Sequence, residues 1–261
     1  NENEIFQDKS IKLVSIASYD NYHYRQIIKC IKYNKHIIVE KPFCLNLKEL
    51  KDIYKLLKRQ YKLKRIRSHG DGISELILTI LSQNTADRNS GQAFAKLMNH
   101  FGNWENIRQA PLSEIKKQIA IGGMSNIKSK NIKTVLNIVN KEANNYDLYF
   151  LTKLKRNEAL KWLTDLPGVG KKTASCVMLF AYGIPFIPVD THVERIVKRI
   201  GFVDKKINTL GVQEELELII EKEKYGIFHL SLIEHGRKIC HAQNPFCKNC
   251  VIQHLCEQNL T

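Results

Sequence analysis

The stretch Leu166-Pro167-Gly168-Val169-Gly170-Lys171-Lys172-Thr173-Ala174 decides how this chain is read. It lies between two segments with helical apolar periodicity. Two glycines one residue apart permit a tight turn with positive φ and leave the backbone amides uncovered. A helix opening at Lys171 would point those amides and its own N-terminus at one spot, a natural anion site. A nucleic-acid phosphate fits such a site, and no base is read there. An ordinary helix–helix turn with glycine at the C-cap accounts for the glycines alone. It does not account for the whole string.

Eighteen residues beyond Lys172 stands Val189-Asp190-Thr191-His192-Val193-Glu194-Arg195. Thr191 with Glu194 makes a capping-box pattern, which would leave Asp190 merely flanking a helix N-terminus. Pro185 and Pro188 deliver this segment from the end of the hairpin helix, and a short excursion of that kind can bring Asp190 back beside Lys172. A lysine amine suits attack on a sugar C1′. A nearby carboxylate suits stabilisation of positive charge developing on that sugar and assists proton transfer.

Further on, Cys240-x6-Cys247-x2-Cys250-x5-Cys256 gathers four of the seven cysteines into 17 residues. An odd total with one tight cluster reads as a metal site rather than a disulfide framework. Four thiolates ligate either zinc or an iron–sulfur cluster. Structural zinc usually shows two short pairs on separate knuckles. Here one such pair exists, so the spacing favours [4Fe–4S].

Around these motifs, the pattern from Leu45 onward is helical almost throughout. Leu47, Leu50, Ile53, Tyr54 and Leu57 follow an amphipathic repeat. Ser74–Ser82 is too apolar for a surface helix and is expected to be central. Ala93–Phe101, Leu112–Ile121, Lys128–Lys141, Lys153–Leu163, Thr173–Ala181, Val193–Ile200 and Val212–Glu223 are further predicted helices, punctuated by Gly, Pro or Asn. Residues 11–44 read differently, as strand (Ile11–Ala17), helix (Tyr22–Tyr33) and strand (His36–Val39) ending at Glu40-Lys41-Pro42. The domain boundary is therefore set near residue 45.

Composition agrees with a polyanionic partner. The chain carries 41 Lys+Arg against 26 Asp+Glu, a formal charge of +15 over 261 residues, for which nucleic acid is the default partner and a lysine-rich proteome the bland alternative. Lys48 to Arg67 holds nine basic residues against Glu49 and Asp52. No uncharged apolar run reaches the roughly 18 residues of a spanning helix. The opening NENEIFQDKS is not a secretory signal. A soluble cytoplasmic monomer with no membrane partner is expected.

Taken together, residues 46–261 resemble the endonuclease III family, the iron–sulfur DNA glycosylases and AP lyases of the helix-hairpin-helix superfamily, with all three motifs in family order. That resemblance implies a mainly α fold: a six-helix barrel (about 84–186) carrying the hairpin, and a cluster domain (about 46–83 and 187–261), with double-stranded DNA crossing the cleft between them. It implies Lys172 as nucleophile and Asp190 as catalytic aspartate. Cys240, Cys247, Cys250 and Cys256 become [4Fe–4S] ligands. Gly168, Val169, Gly170, Lys171 and Arg237 become DNA contacts, Arg237 beside Lys238 at the cysteine cluster. Family members confined to adenine removal opposite oxidised guanine lack the lysine, so Lys172 points to a bifunctional enzyme. Such an enzyme removes a damaged base, here an oxidised pyrimidine, and then cuts 3′ to the abasic site. Two segments resemble residues that fill the gap left by a flipped nucleotide. In Leu81-Ser82-Gln83-Asn84-Thr85-Ala86-Asp87, the family often has Gln where this chain has Asn84, so either Gln83 or Asn84 inserts. In Gly122-Gly123-Met124-Ser125-Asn126, Met124 takes a leucine-type wedge position. Residues 14–46 instead resemble part of the dinucleotide-binding domain of sugar-type oxidoreductases. They lack the G-x-G-x-x-G turn, so residues 1–45 read as a non-functional remnant holding no NAD.

Overall fold

The computed structural model describes residues 2–18, 22, 26, 29–30, 33, 35–39, 47–62 and 68–257. Glu40-Lys41-Pro42, Cys44 and the boundary at Leu45 lie outside them. The described chain is mainly α and divides into two compact units.

The hairpin unit comprises residues 65–188 with 221–226. Its central helix runs Gly72–Ser82 and is capped by Asp71, whose carboxylate accepts from the Ser74 amide at 2.9 Å. Ile73, Leu76, Ile77, Ile80 and Leu81 are buried, so the apolar run is central as its composition predicts. This helix, grouped by the sequence reading with the C-terminal elements, belongs to the hairpin unit. Around it come Asp87–Phe101, Trp104–Gln109, Leu112–Ile119, Ser125–Glu142, Arg156–Thr164 and Lys171–Cys176, the last continuing as a π turn over Val177–Ala181. One core joins them through Leu97, Ile107, Ile115, Ile132, Leu136, Leu163 and Val177, among others. Trp104–Gln109 was missed because six residues hold too little periodicity to register.

The cysteine unit comprises residues 1–64, 189–220 and 227–261. It contains the helices Leu47–Tyr61, Thr191–Ile200 and Thr209–Ile219, and most of Tyr225–Lys238. In chain order the helices are numbered α1 (Glu2–Gln7), α2 (Leu47–Tyr61), α3 (Gly72–Ser82), α4 (Asp87–Phe101), α5 (Trp104–Gln109), α6 (Leu112–Ile119), α7 (Ser125–Glu142), α8 (Arg156–Thr164), α9 (Lys171–Cys176), α10 (Thr191–Ile200), α11 (Thr209–Ile219) and α12 (Tyr225–Lys238). Helix α12 was also missed. Its sequence is buried nearly all round, with Phe228, His229, Leu232 and His235 each 2% exposed or less, so it offers no one-sided stripe.

The N-terminal strands Leu13–Ile16 (β1) and His36–Val39 (β2) pair in parallel, Leu13 opposite His36 and Ile16 opposite Val39. Parallel pairing requires a crossover; between the strands Tyr22, Gln26, Lys29 and Cys30 are helical. Phe6, Ile16 and Cys30 form a small core of their own.

Candidate active site

The hairpin is α8, a six-residue turn (165–170) and α9. Gly168 has φ +76, and a Cβ there would meet the Asn131 Nδ2 of α7 at 2.2 Å. The conformation demands glycine, and a Cβ would also require the Asn131 side chain to move. Gly170 does not share that conformation. Its φ is −90 and it caps α9 with extended backbone. A Cβ at Gly170 would find nothing within 4 Å, so here glycine leaves the backbone open to solvent. Val169 turns inward at 5% exposure, and the Val169 amide donates to Leu166 O at 3.1 Å. Lys171 is exposed and Lys172 half-exposed in the first turn of α9, whose remainder, Thr173 to Cys176, is buried.

Gln83 belongs to this hairpin. Its Nε2 donates to Gly168 O at 2.8 Å and lies 3.3 Å from the Thr173 hydroxyl. Asn84 points elsewhere: it has φ +50, is exposed, and sets its Nδ2 3.7 Å from the Met124 sulfur. Met124 has φ +49 and is 49% exposed, which rules out plain core packing. The two amides are thus separated by role. Gln83 braces the hairpin, and Asn84 and Met124 stand together on the surface. Sequence reasoning missed Lys128, 2% exposed, whose Nζ donates to Leu81 O at 2.7 Å, Thr85 Oγ1 at 2.6 Å and Gly122 O at 2.9 Å. Burial holds its ammonium below the usual lysine range.

In the cysteine unit, Asp190 is itself the N-cap of α10, its Oδ1 accepting from the Val193 amide at 2.8 Å. The predicted Thr191–Glu194 capping box is not formed. Glu194 instead pairs with Lys198 at 2.7 Å and accepts from the Thr209 hydroxyl at 2.8 Å. The cap engages one of the two Asp190 oxygens.

Cys240, Cys247, Cys250 and Cys256 line a single cavity of about 410 Å³, counting its open mouth, together with Ile196, Ile200, His235 and Ile252. Among the described residues no three His, Cys, Asp or Glu side chains converge on one point as ligands of a single ion. Burial pushes the Cys250 thiol up to about 11 and the His235 imidazole down to about 4. His235 Nε2 lies 3.6 Å from Cys250 Sγ, and Tyr61 OH lies 2.8 Å from His235 Nδ1. Two arginines one turn apart on α10 hold the loop. Arg195 donates to Cys240 O at 2.8 Å, and the largely buried Arg199 donates to His241 O at 2.6 Å and Ala242 O at 2.8 Å. The i, i+4 spacing of these arginines was the available sequence signal. Arg237 is exposed in the last turn of α12, where Lys238 pairs with Glu234 at 2.9 Å.

A glycine-opened hairpin with a lysine in its following helix, and a carboxylate-capped helix joined to a cysteine loop, define a helix-hairpin-helix repair protein. Residues 77–222 match the family model of the HhH-GPD superfamily of base excision DNA repair proteins, and the chain belongs to that superfamily. Its likeness is to endonuclease III. It is 30% identical to that of Sulfolobus acidocaldarius over 218 residues, 80% of this chain and 95% of the other. With endonuclease III of Rickettsia prowazekii identity is 37%, covering 70% and 81%. Among solved structures, a trapped endonuclease III–DNA covalent intermediate superposes with TM-score 0.70 at 29% identity, covering 82% of this chain and 96% of that one. A thermostable thymine-DNA glycosylase follows at TM-score 0.67, 26% identity and coverage of 81% and 96%. Residues 1–66 also match an oxidoreductase family with an NAD-binding Rossmann fold. Among the described residues no helix is long and apolar enough to cross a membrane.

Proposed function

We propose that this chain is a base excision repair DNA glycosylase with AP lyase activity, acting on double-stranded DNA that carries oxidised pyrimidines or abasic sites. The observation that carries the reading is a half-exposed lysine in the first turn of the helix opened by the hairpin glycines. Its similarity to an endonuclease III captured as a covalent DNA intermediate supports it.

In this mechanism the Gly170 amide, the N-terminus of α9 and the charge of Lys171 hold a backbone phosphate beside the hairpin. Lys172 Nζ attacks C1′ as the base departs with its bonding electrons. The nitrogen passes one proton to the departing base, and its lone pair then expels the ring oxygen, which takes a proton from solvent, leaving a protonated C1′ Schiff base. A C2′ proton is then removed and the C3′–O bond breaks, releasing the 3′ phosphate. Asp190 stabilises the charge that develops on the sugar, using the carboxylate oxygen not engaged in the cap. Asn84 and Met124 fill the space left by the flipped nucleotide.

The cysteine set fits a [4Fe–4S] cluster. Four sulfurs lining one cavity suit a polynuclear group. Metal binding would also offset the burial that keeps Cys250 protonated. Such a cluster would supply a rigid cross-link and a redox centre. Residues 1–45 are proposed to hold no nicotinamide nucleotide, because the sequence has no glycine before Gly70 and so no turn to cradle a pyrophosphate.

Borohydride reduction on DNA containing an abasic site tests the central claim. A covalent adduct is expected, and its absence from active, folded protein would overturn the lyase mechanism.

A further inference from the structure

One buried side chain ties together the two surface turns that carry Asn84 and Met124. Lys128 sits in the first turn of α7 at 2% exposure. Its three ammonium protons meet three acceptors on separate stretches of chain: Leu81 O at the end of α3, Thr85 Oγ1 just past Asn84, and Gly122 O just before Met124. The Thr85 hydroxyl closes the triangle by donating to Gly122 O at 2.5 Å. An ammonium has three donors, so Lys128 is saturated. Leucine or methionine would fill the same volume without desolvating a charge. What lysine adds is three directed bonds that fix one turn against the other.

Those turns need fixing. Asn84 and Met124 both have left-handed backbone, φ +50 and φ +49, although neither is glycine. Such conformations persist where the surroundings over-determine them. Asn84 lies between two Lys128 contacts, at Leu81 and Thr85, and Met124 lies two residues beyond the third, at Gly122. Each is exposed, and the two side chains meet at 3.7 Å.

We propose that Lys128 is a positioning residue for lesion recognition, holding Asn84 and Met124 as one preformed unit that enters the duplex. This rests on the DNA-repair reading above. It assigns selectivity between damaged and intact DNA to a lysine that touches neither DNA nor the reacting atoms.

The test compares affinity for a duplex bearing a tetrahydrofuran abasic analogue with affinity for the intact duplex. Lys128→Met should lower the ratio at least about tenfold, the scale of one lost charge-assisted contact, and leave intact-duplex affinity unchanged. Met124→Ala alone should lower the same ratio. The double variant should lose no more than the larger single loss, because both act through one unit. Thr85→Val, which removes the hydroxyl link without touching the lysine, gives a milder version should Lys128→Met fold poorly. Additive losses, or an unchanged ratio in both Lys128→Met and Thr85→Val, would overturn the proposal. A wild-type protein that does not discriminate the analogue would instead sink the repair reading, and this inference with it.

Discussion

At Lys172, exchanging the amine for the similarly sized amide of glutamine removes the nitrogen that must bond to C1′. Lys172→Gln should therefore abolish base release and borohydride trapping while DNA binding survives, since the Gly168–Gly170 backbone and the surrounding charge remain. An adduct in that variant would move the nucleophile to Lys171 or elsewhere. Asp190 carries two roles that substitutions separate. Asparagine caps a helix about as well as aspartate, so Asp190→Asn should unfold at nearly the wild-type temperature yet turn over roughly 10²–10⁴-fold more slowly. Asp190→Ala should add a stability loss of about 0.5–2 kcal/mol. Near-normal turnover in Asp190→Asn would reduce the residue to its cap. The hairpin and Asp190 were legible because each is written in backbone demands at fixed spacing. Lys128 was not: a lone lysine at a helix start reads as solvated, and only packing from α3 and two turns makes it buried.

Among the elements, amphipathic helices such as α6 and α7 were found within three residues of their bounds, because one buried face writes a 3.6-residue period, whereas α4 was found to its end but begins six residues before its expected start. Helix α12 lost that signal by being covered on every side, and α5 by brevity. That the four cysteines gather around one cavity was readable from their density alone. Their support was legible only in part: the i, i+4 spacing of Arg195 and Arg199 puts both on one face of α10, but the backbone carbonyls they grip leave no side-chain pattern. Anaerobically purified protein should be brown, with about four irons per chain. Cys247→Ala should bleach it and expose residues 240–257 to proteolysis, since that loop contributes little apolar core beyond Ile252. A colourless preparation with one stoichiometric zinc would refute the cluster.

For the molecule as a whole, the mainly α character and family were legible, whereas the N-terminal segment keeps its own small parallel pair and a core of three buried residues. A two-stranded unit of that size is marginal alone. Residues 1–44 hold seven basic and five acidic side chains, so +13 of the +15 stays with the remainder. Deleting them should leave strand cleavage within a few-fold and the salt dependence of binding nearly intact. NADH should not shift the melting temperature of the full chain. Loss of folding on deletion, or stabilisation by the nucleotide, would mean the segment is a working part.

Helix α10 is ten residues long, about 15 Å. Asp190 caps its first turn. Arg195 and Arg199 fasten its flank to the cysteine loop, and the Cys256 thiol and Glu257 amide meet the carbonyls of Arg199 and Ile200 at its far end. Under the cluster reading, a chain made without iron would leave these guanidinium groups without fixed acceptors, on the same short rod that aims the carboxylate. Repair capacity would then follow the cell's iron supply, although the residues proposed to break the bonds are a lysine and an aspartate.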